Sequence, residues 1–256
     1  MRTLIPLLEK LAPPASASPF DNIGLLAGSG NISVKGIVVA LDATSDVVDT
    51  AINTGANLII VHHPLIFTPL KAVNIESATG NILARLLKNN ISLYAMHTNL
   101  DSAPNGLNQY VAELLGLKKI RAVAGDGIIF RIGEVSKTVD SHQFAETVKK
   151  NLSLAGVRHY GPAKKVKNVA VCTGSGGDLV TGSLEAGADI LVTGDVKHHN
   201  GVECNELGFP VIDAGHLGTE KHMVPLVGNY LKKNLTKLKK NIRITLFNEK
   251  ELYDYL

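Results

Sequence analysis

The chain has 256 residues, 45% of them hydrophobic and 19% charged, with a formal net charge of +3. That describes an ordinary globular protein, large enough to bury one sizeable core or two smaller ones without disulfide staples. The mild charge calls for neither nucleic acid nor an anionic membrane as partner, and the two cysteines, Cys172 and Cys204, form no CxxC motif, which fits a reducing compartment and buried bystander thiols.

In chain order, Met1 to Lys10 reads as a short amphipathic helix. Pro6 breaks its apolar stretch, and charges follow too early for the core of a signal peptide. No apolar stretch approaches the ~18 residues needed to cross a bilayer, so a cytoplasmic protein is expected. From Gly36 onward, strands rich in β-branched residues alternate with helical patterns, the signature of βαβ units and a largely parallel sheet. Gly36 to Leu41 reads as a strand, Ser45 to Asn53 as a helix with Thr44 or Ser45 as N-cap, and Leu58 to Val61 as a strand. Gly80 to Asn89 reads as a helix and Ile91 to Ala95 as a strand.

The same order then returns. Val166 to Cys172 is a strand and Asp178 to Glu185 a helix, while Gly187 to Thr193 echoes Gly55 to Val61 at a constant offset. Ala214-Gly215-His216 followed by Glu220 echoes Ala95-Met96-His97 followed by Asp101. The expected fold class is therefore α/β, with two similar halves from an internal duplication, residues 1–120 and 121–256, and a metal site in the cleft between them. Between the repeats lie a strand (Ile128 to Val135), a helix (Gln143 to Leu152) and a strand near Val157 to Tyr160. The basic tail Lys232 to Lys240 carries leucines at helical spacing and reads as a solvated helix end leading to a strand, Ile242 to Phe247.

Five residues with metal-ligand chemistry, His62, His63, Asp101, His216 and Glu220, stand at or just beyond expected strand ends, where open α/β sheets bind ligands. Three imidazoles and two carboxylates suit one or two divalent transition ions. His62 and His63 would point to opposite faces of a regular strand. At a strand exit before Pro64, which holds His63 extended, they can splay toward two ions. The competing reading makes them core or turn residues. His216 and Glu220, at i and i+4, share a helix face; Glu220 alone could be a carboxylate favoured by a helix start, and Asp101 alone a turn residue. His97, the counterpart of His216, is the candidate for catalytic proton transfer, a residue that orients a ligand, or a ligand itself. His198 and His199 lie beyond a strand end, as pocket rim or exposed loop. His142, His159 and His222 carry no functional expectation. Thr173 to Asp178 links strand to helix and lacks a Walker A ending or a full GxGxxG, which leaves a tight turn or an anion-facing loop.

These segments together resemble the Nif-three-like (NGG-interacting factor three) family of dinuclear metal-centre proteins, also labelled GTP cyclohydrolase I type 2 homologues. The resemblance runs nearly end to end. It rests on Asp21-Asn22-Ile23-Gly24-Leu25, on Val61-His62-His63-Pro64-Leu65-Ile66-Phe67 and on His97-Thr98-Asn99-Leu100-Asp101. In the second half it rests on Thr173-Gly174-Ser175-Gly176, Thr193-Gly194-Asp195 and Gly215-His216-Leu217-Gly218-Thr219-Glu220. It implies two divalent ions, one on His63 and Asp101, the other on His62 and His216, with Glu220 bridging, and a ring-like homohexamer. Phe20 stands where the family commonly has Trp, and Leu26 where Gln is frequent.

The leading expectation is a metal-dependent hydrolase acting on a nucleotide-like substrate, cyclohydrolase-like, using zinc, iron, manganese, nickel or cobalt. The alternative is a non-catalytic metal-binding scaffold, metal carrier or protein-interaction protein. No recognition helix or basic stripe supports a nucleic-acid partner.

Overall fold

The computed structural model describes residues 1–125 and 127–253. The chain divides into two compact units, residues 1–103 with the chain from Met223 onward, and Pro104–His222. This division differs from the expected 1–120 and 121–256 in two places. It falls at the turn following Ala103, and the C-terminal segment rejoins the first unit because its strand completes that unit's sheet.

In the first unit, α1 (Leu4–Leu11) buries Leu4, Leu8 and Leu11 on one helical face. After β1 (Gly24–Ala27) and the fully buried β2 (Gly36–Ala40) comes α2 (Ser45–Thr54). The Thr44 hydroxyl accepts from the Val47 amide at its start, and Gly55, at φ +68°, closes it in the left-handed region that glycine enters without penalty. Then follow β3 (Leu58–Val61), α3 (Ala78–Lys88), β4 (Ser92–Ala95) and the one-turn α4 (Thr98–Ser102).

The second unit contains α5 (Leu107–Leu114), β5 (Lys118–Gly125), β6 (Ile128–Asp140), α6 (Ser141–Asn151), β7 (Arg158–Tyr160) and β8 (Lys165–Ser175). It continues with α7 (Val180–Glu185), β9 (Ile190–Gly194), α8 (His198–Glu206), β10 (Val211–Asp213) and the one-turn α9 (His216–Glu220). The chain then returns to the first unit through α10 (Met223–Lys237) and β11 (Arg243–Leu246).

The first sheet has the order β1-β4-β3-β2-β11 and the second β5-β6-β8-β9-β10-β7. In the first, β2, β3, β4 and β11 run parallel and only β1 is antiparallel. In the second, β8, β9 and β10 run parallel, and β5, β6 and β7 add antiparallel edges. The repeat is visible as β4-β3-β2 in one sheet and β10-β9-β8 in the other, each with an antiparallel strand beyond its β4 or β10 edge. All four residues of β3 and of β4, and all five of β9, are buried. Strands covered on both faces read as continuous apolar runs, which is why these were the most legible elements. Less legible were β1 and β5, whose residues are all part-exposed or exposed and lack a clean alternation. Among the described residues, no helix is long and apolar enough to cross a membrane.

Candidate metal centre

In the first unit the site begins where β3 ends. The amides of His62 and His63 both donate to the Leu41 carbonyl, at 3.1 and 3.0 Å. Two successive amides on one acceptor break the regular ladder, so the two side chains no longer diverge to opposite faces as strand geometry requires. Their rings lie 5.2 Å apart, centroid to centroid, and His97, reached from the end of β4, lies 5.2 Å from His62 and 5.8 Å from His63. One ligand atom from each of these three histidines can lie within 4.8 Å of the others. Asp101, buried on α4, brings Oδ1 to 3.6 Å from His62 Nε2.

Each of these imidazoles is tethered through Nδ1. His62 Nδ1 lies 2.7 Å from the Met96 carbonyl, His63 Nδ1 2.9 Å from Asp42 Oδ1, and His97 Nδ1 2.8 Å from Asp21 Oδ1. A carbonyl or carboxylate oxygen can only accept, so Nδ1 carries the hydrogen and the Nε2 lone pair of the neutral ring is the one available to a cation. Asp21 is held from two sides, since the Thr98 amide also donates to it at 3.0 Å. Burial would raise its carboxyl, but the hydrogen bonds from His97 and Thr98 bring it down to about 2.

The second unit repeats the device. His216 opens α9, its Nδ1 lies 2.6 Å from Asp195 Oδ2, and its Nε2 lies 2.8 Å from Glu220 Oε2 one turn later. The bond to Glu220 is the largest influence on this imidazole; with Asp195 it outweighs burial and lifts the ring to about 9. Asp195 holds its place with φ at +52°, directly after β9. Glu220 is buried, and the chain around it is glycine where nothing larger fits. A Cβ at Gly174, already at φ +69°, would overlap Glu220 Oε1, and one at Gly194 would lie 2.7 Å from the His216 amide nitrogen.

A family model described as Duf34/NIF3 (NGG1p interacting factor 3) matches residues 1–251. The chain belongs to the NIF3 family. Among NIF3-type relatives, a "GTP cyclohydrolase 1 type 2 homolog" of Clostridium acetobutylicum is 34% identical over 245 residues, covering 93% of this chain and 91% of the relative. A "GTP cyclohydrolase 1 type 2" of Helicobacter pylori is 33% identical over 235 residues, 90% of this chain and 91% of that protein. A Bacillus cereus protein related to NIF3 superposes with a TM-score of 0.92 at 27% identity, over 100% of this chain and 98% of that one. Reduced HcgD from Methanocaldococcus jannaschii superposes with a TM-score of 0.84 at 30% identity, over 96% of each chain.

Within this NIF3 frame, the structure gathers His62, His63, His97 and Asp101 in one unit, and His216 and Glu220 in the other. The carboxylates Asp21, Asp42 and Asp195 were not singled out as site residues from the sequence, although Asp21 and Asp195 sit inside the motifs that carry the resemblance. At the end of β8 and just beyond it, three amides are taken by the protein itself: Thr173 donates to Asn108 Oδ1 at 2.7 Å, Gly174 to Thr219 Oγ1 and Gly176 to Thr193 Oγ1, both at 2.9 Å. The segment packs closely around the Glu220 carboxylate. His198 and His199 are exposed and open α8 rather than lying in a loop. Both cysteines are buried, and burial pushes the Cys204 thiol up to about 11, which keeps that thiol protonated.

Proposed function

We propose that this chain binds two divalent ions through His62, His63, Asp101, His216 and Glu220 and hydrolyses a nucleotide-like substrate, as the cyclohydrolase name of its relatives suggests. The observation that carries the reading is the tethering of four imidazoles through Nδ1, three of them to carboxylates, which turns Nε2 of His62, His63 and His216 to a cation and Nε2 of His97 to proton transfer. A metal-ligating imidazole commonly has its other ring nitrogen held in this way. The donor set of imidazole and carboxylate without thiolate fits zinc, manganese, iron, nickel or cobalt.

Such ions, when bound, supply Lewis acidity and lower the pKa of a water. The chain's own residues do the rest. Asp21, Asp42 and Asp195 fix the rings of His97, His63 and His216. His97 combines a tethered Nδ1 with a part-exposed ring, and so can take and return a proton at Nε2. A homohexamer in the cytoplasm completes the proposal.

The test is elemental analysis of metal per chain for the wild type and for Glu220→Ala, followed by GTP turnover of loaded and metal-stripped protein. Near two ions per chain, falling sharply in the variant, with turnover only in the loaded form, is the expected result. Identical behaviour of loaded and stripped protein toward GTP and simple phosphoesters would end the hydrolase reading.

A further inference from the structure

We propose that Phe20 and Phe67 form a seat for the planar heteroaromatic ring of the substrate beside His97. Phe20 is 60% exposed and Phe67 46%. A single exposed phenyl is unexceptional, but these two meet edge to face, 6.3 Å between centroids at 63°. Phe67 in turn stands 6.1 Å from the His97 ring at 87°.

The arrangement is fastened by the two residues that follow Phe20. Asp21 takes the Nδ1 hydrogen of His97 at 2.8 Å, and Asn22 Nδ2 donates to the Ile66 carbonyl at 2.5 Å, one residue before Phe67. One short segment therefore holds both the phenyl pair and the imidazole, so the rings keep their spacing without being buried. The His63 and His97 side chains are themselves part-exposed, at 25% and 19%, and solvent reaches them alongside Phe67.

Phenyl faces attract the edges and offset faces of other aromatic rings, more so when those rings are electron-poor, and they offer nothing to a polyphosphate. The occupant is thus the base-like ring of a substrate whose reacting atom must come to the histidines. The choice of a nucleobase as that ring rests on the function proposed above; ring binding itself requires no turnover.

Titration calorimetry of the zinc-loaded full chain with guanosine, and separately with inorganic tripolyphosphate, tests this. Phe67→Ala and Phe20→Ala should each weaken guanosine binding about tenfold, and Phe67→Trp should restore it. Tripolyphosphate affinity and metal content should stay at wild-type values. The proposal is overturned if the wild type does not bind guanosine, or if both alanine variants bind it as tightly as the wild type. It is also overturned if the alanine variants change the mass of the assembly in solution, because the rings would then be a contact between copies of the chain. Guanosine binding that depends on the rings, in a protein that leaves GTP intact, would sink the hydrolase reading and keep the ring seat. Turnover of GTP with ring-independent guanosine affinity would do the reverse.

Discussion

Gly174 shows how narrowly the site is specified at the level of single residues. Its φ of +69° and the position of Glu220 Oε1 leave no room for a methyl group. Gly174→Ala should cost about 1–2 kcal/mol for the backbone conformation alone and should displace the Glu220 carboxylate. Metal per chain is therefore expected to fall toward the Glu220→Ala value, while circular dichroism stays native; a full metal complement would show that Glu220 tolerates the shift. His216 gives a second prediction. Its imidazole is raised from 6.5 to about 9 in the metal-free chain, mainly by Glu220. A group with a raised native pKa stabilises fully below its unfolded value and ceases to do so above its native one. The metal-free protein should therefore lose melting temperature as pH rises from 6.5 to 9, and His216→Gln should flatten that slope. Loading a cation must release the same proton, so proton release measured at pH 7.5 should disappear in that variant. The identities of His62, His63, His97, Asp101, His216 and Glu220 could be read from the chain. Their tethers could not, because Asp21 lies 76 positions from His97, and Asp42 and Asp195 each 21 from their histidines.

At the scale of elements, the site depends on where β3 and β9 stop. Leu58 to Val61 is buried completely between β2 and β4, and the chain after it must leave the sheet with two amides on one carbonyl. Ile59 is fully buried in the cluster formed with Val38, Val47 and Leu93. Ile59→Ala should cost ~2–5 kcal/mol by opening a cavity, read as a lower denaturant midpoint; an unchanged midpoint would mean that the neighbours refill the space. Strands of this kind were legible because burial on both faces leaves an uninterrupted β-branched run. The helix at Ser45 was legible because Thr44 caps it and Gly55 ends it. By contrast, β5 pairs with β6 at a sheet edge and all of its residues are exposed or part-exposed, so no periodicity marked it. The two histidines at 198 and 199, read from the chain as pocket rim or exposed loop, are exposed at the start of a helix, where Asn200 Oδ1 accepts from the Lys197 amide.

At the scale of the whole molecule, the proposed ligands are carried by two compact units, each with its own sheet and core. If the proposed function holds, metal is expected to serve chemistry rather than folding, since each unit has a buried core of its own. Stripping the metal should leave the mass of the assembly in solution unchanged while abolishing GTP turnover. An assembly that falls apart on stripping, with no turnover in either state, would favour the metal-binding scaffold instead. Light scattering of loaded and stripped protein decides between them, and the same measurement tests the homohexamer.

The sequence by itself determined the α/β class, the duplicated order of elements and the ligand-type residues, because each of these is written in local periodicity or in short motifs. Only the tertiary structure decided that residues from Met223 onward return to the first unit, where β11 pairs with β2. It alone paired each imidazole with its anchoring oxygen and set Phe20 and Phe67 beside His97. The physical reason is the same in every case. Strand pairing and hydrogen bonds across tens or hundreds of positions depend on which surfaces the fold brings into contact, and no spacing along the chain records that.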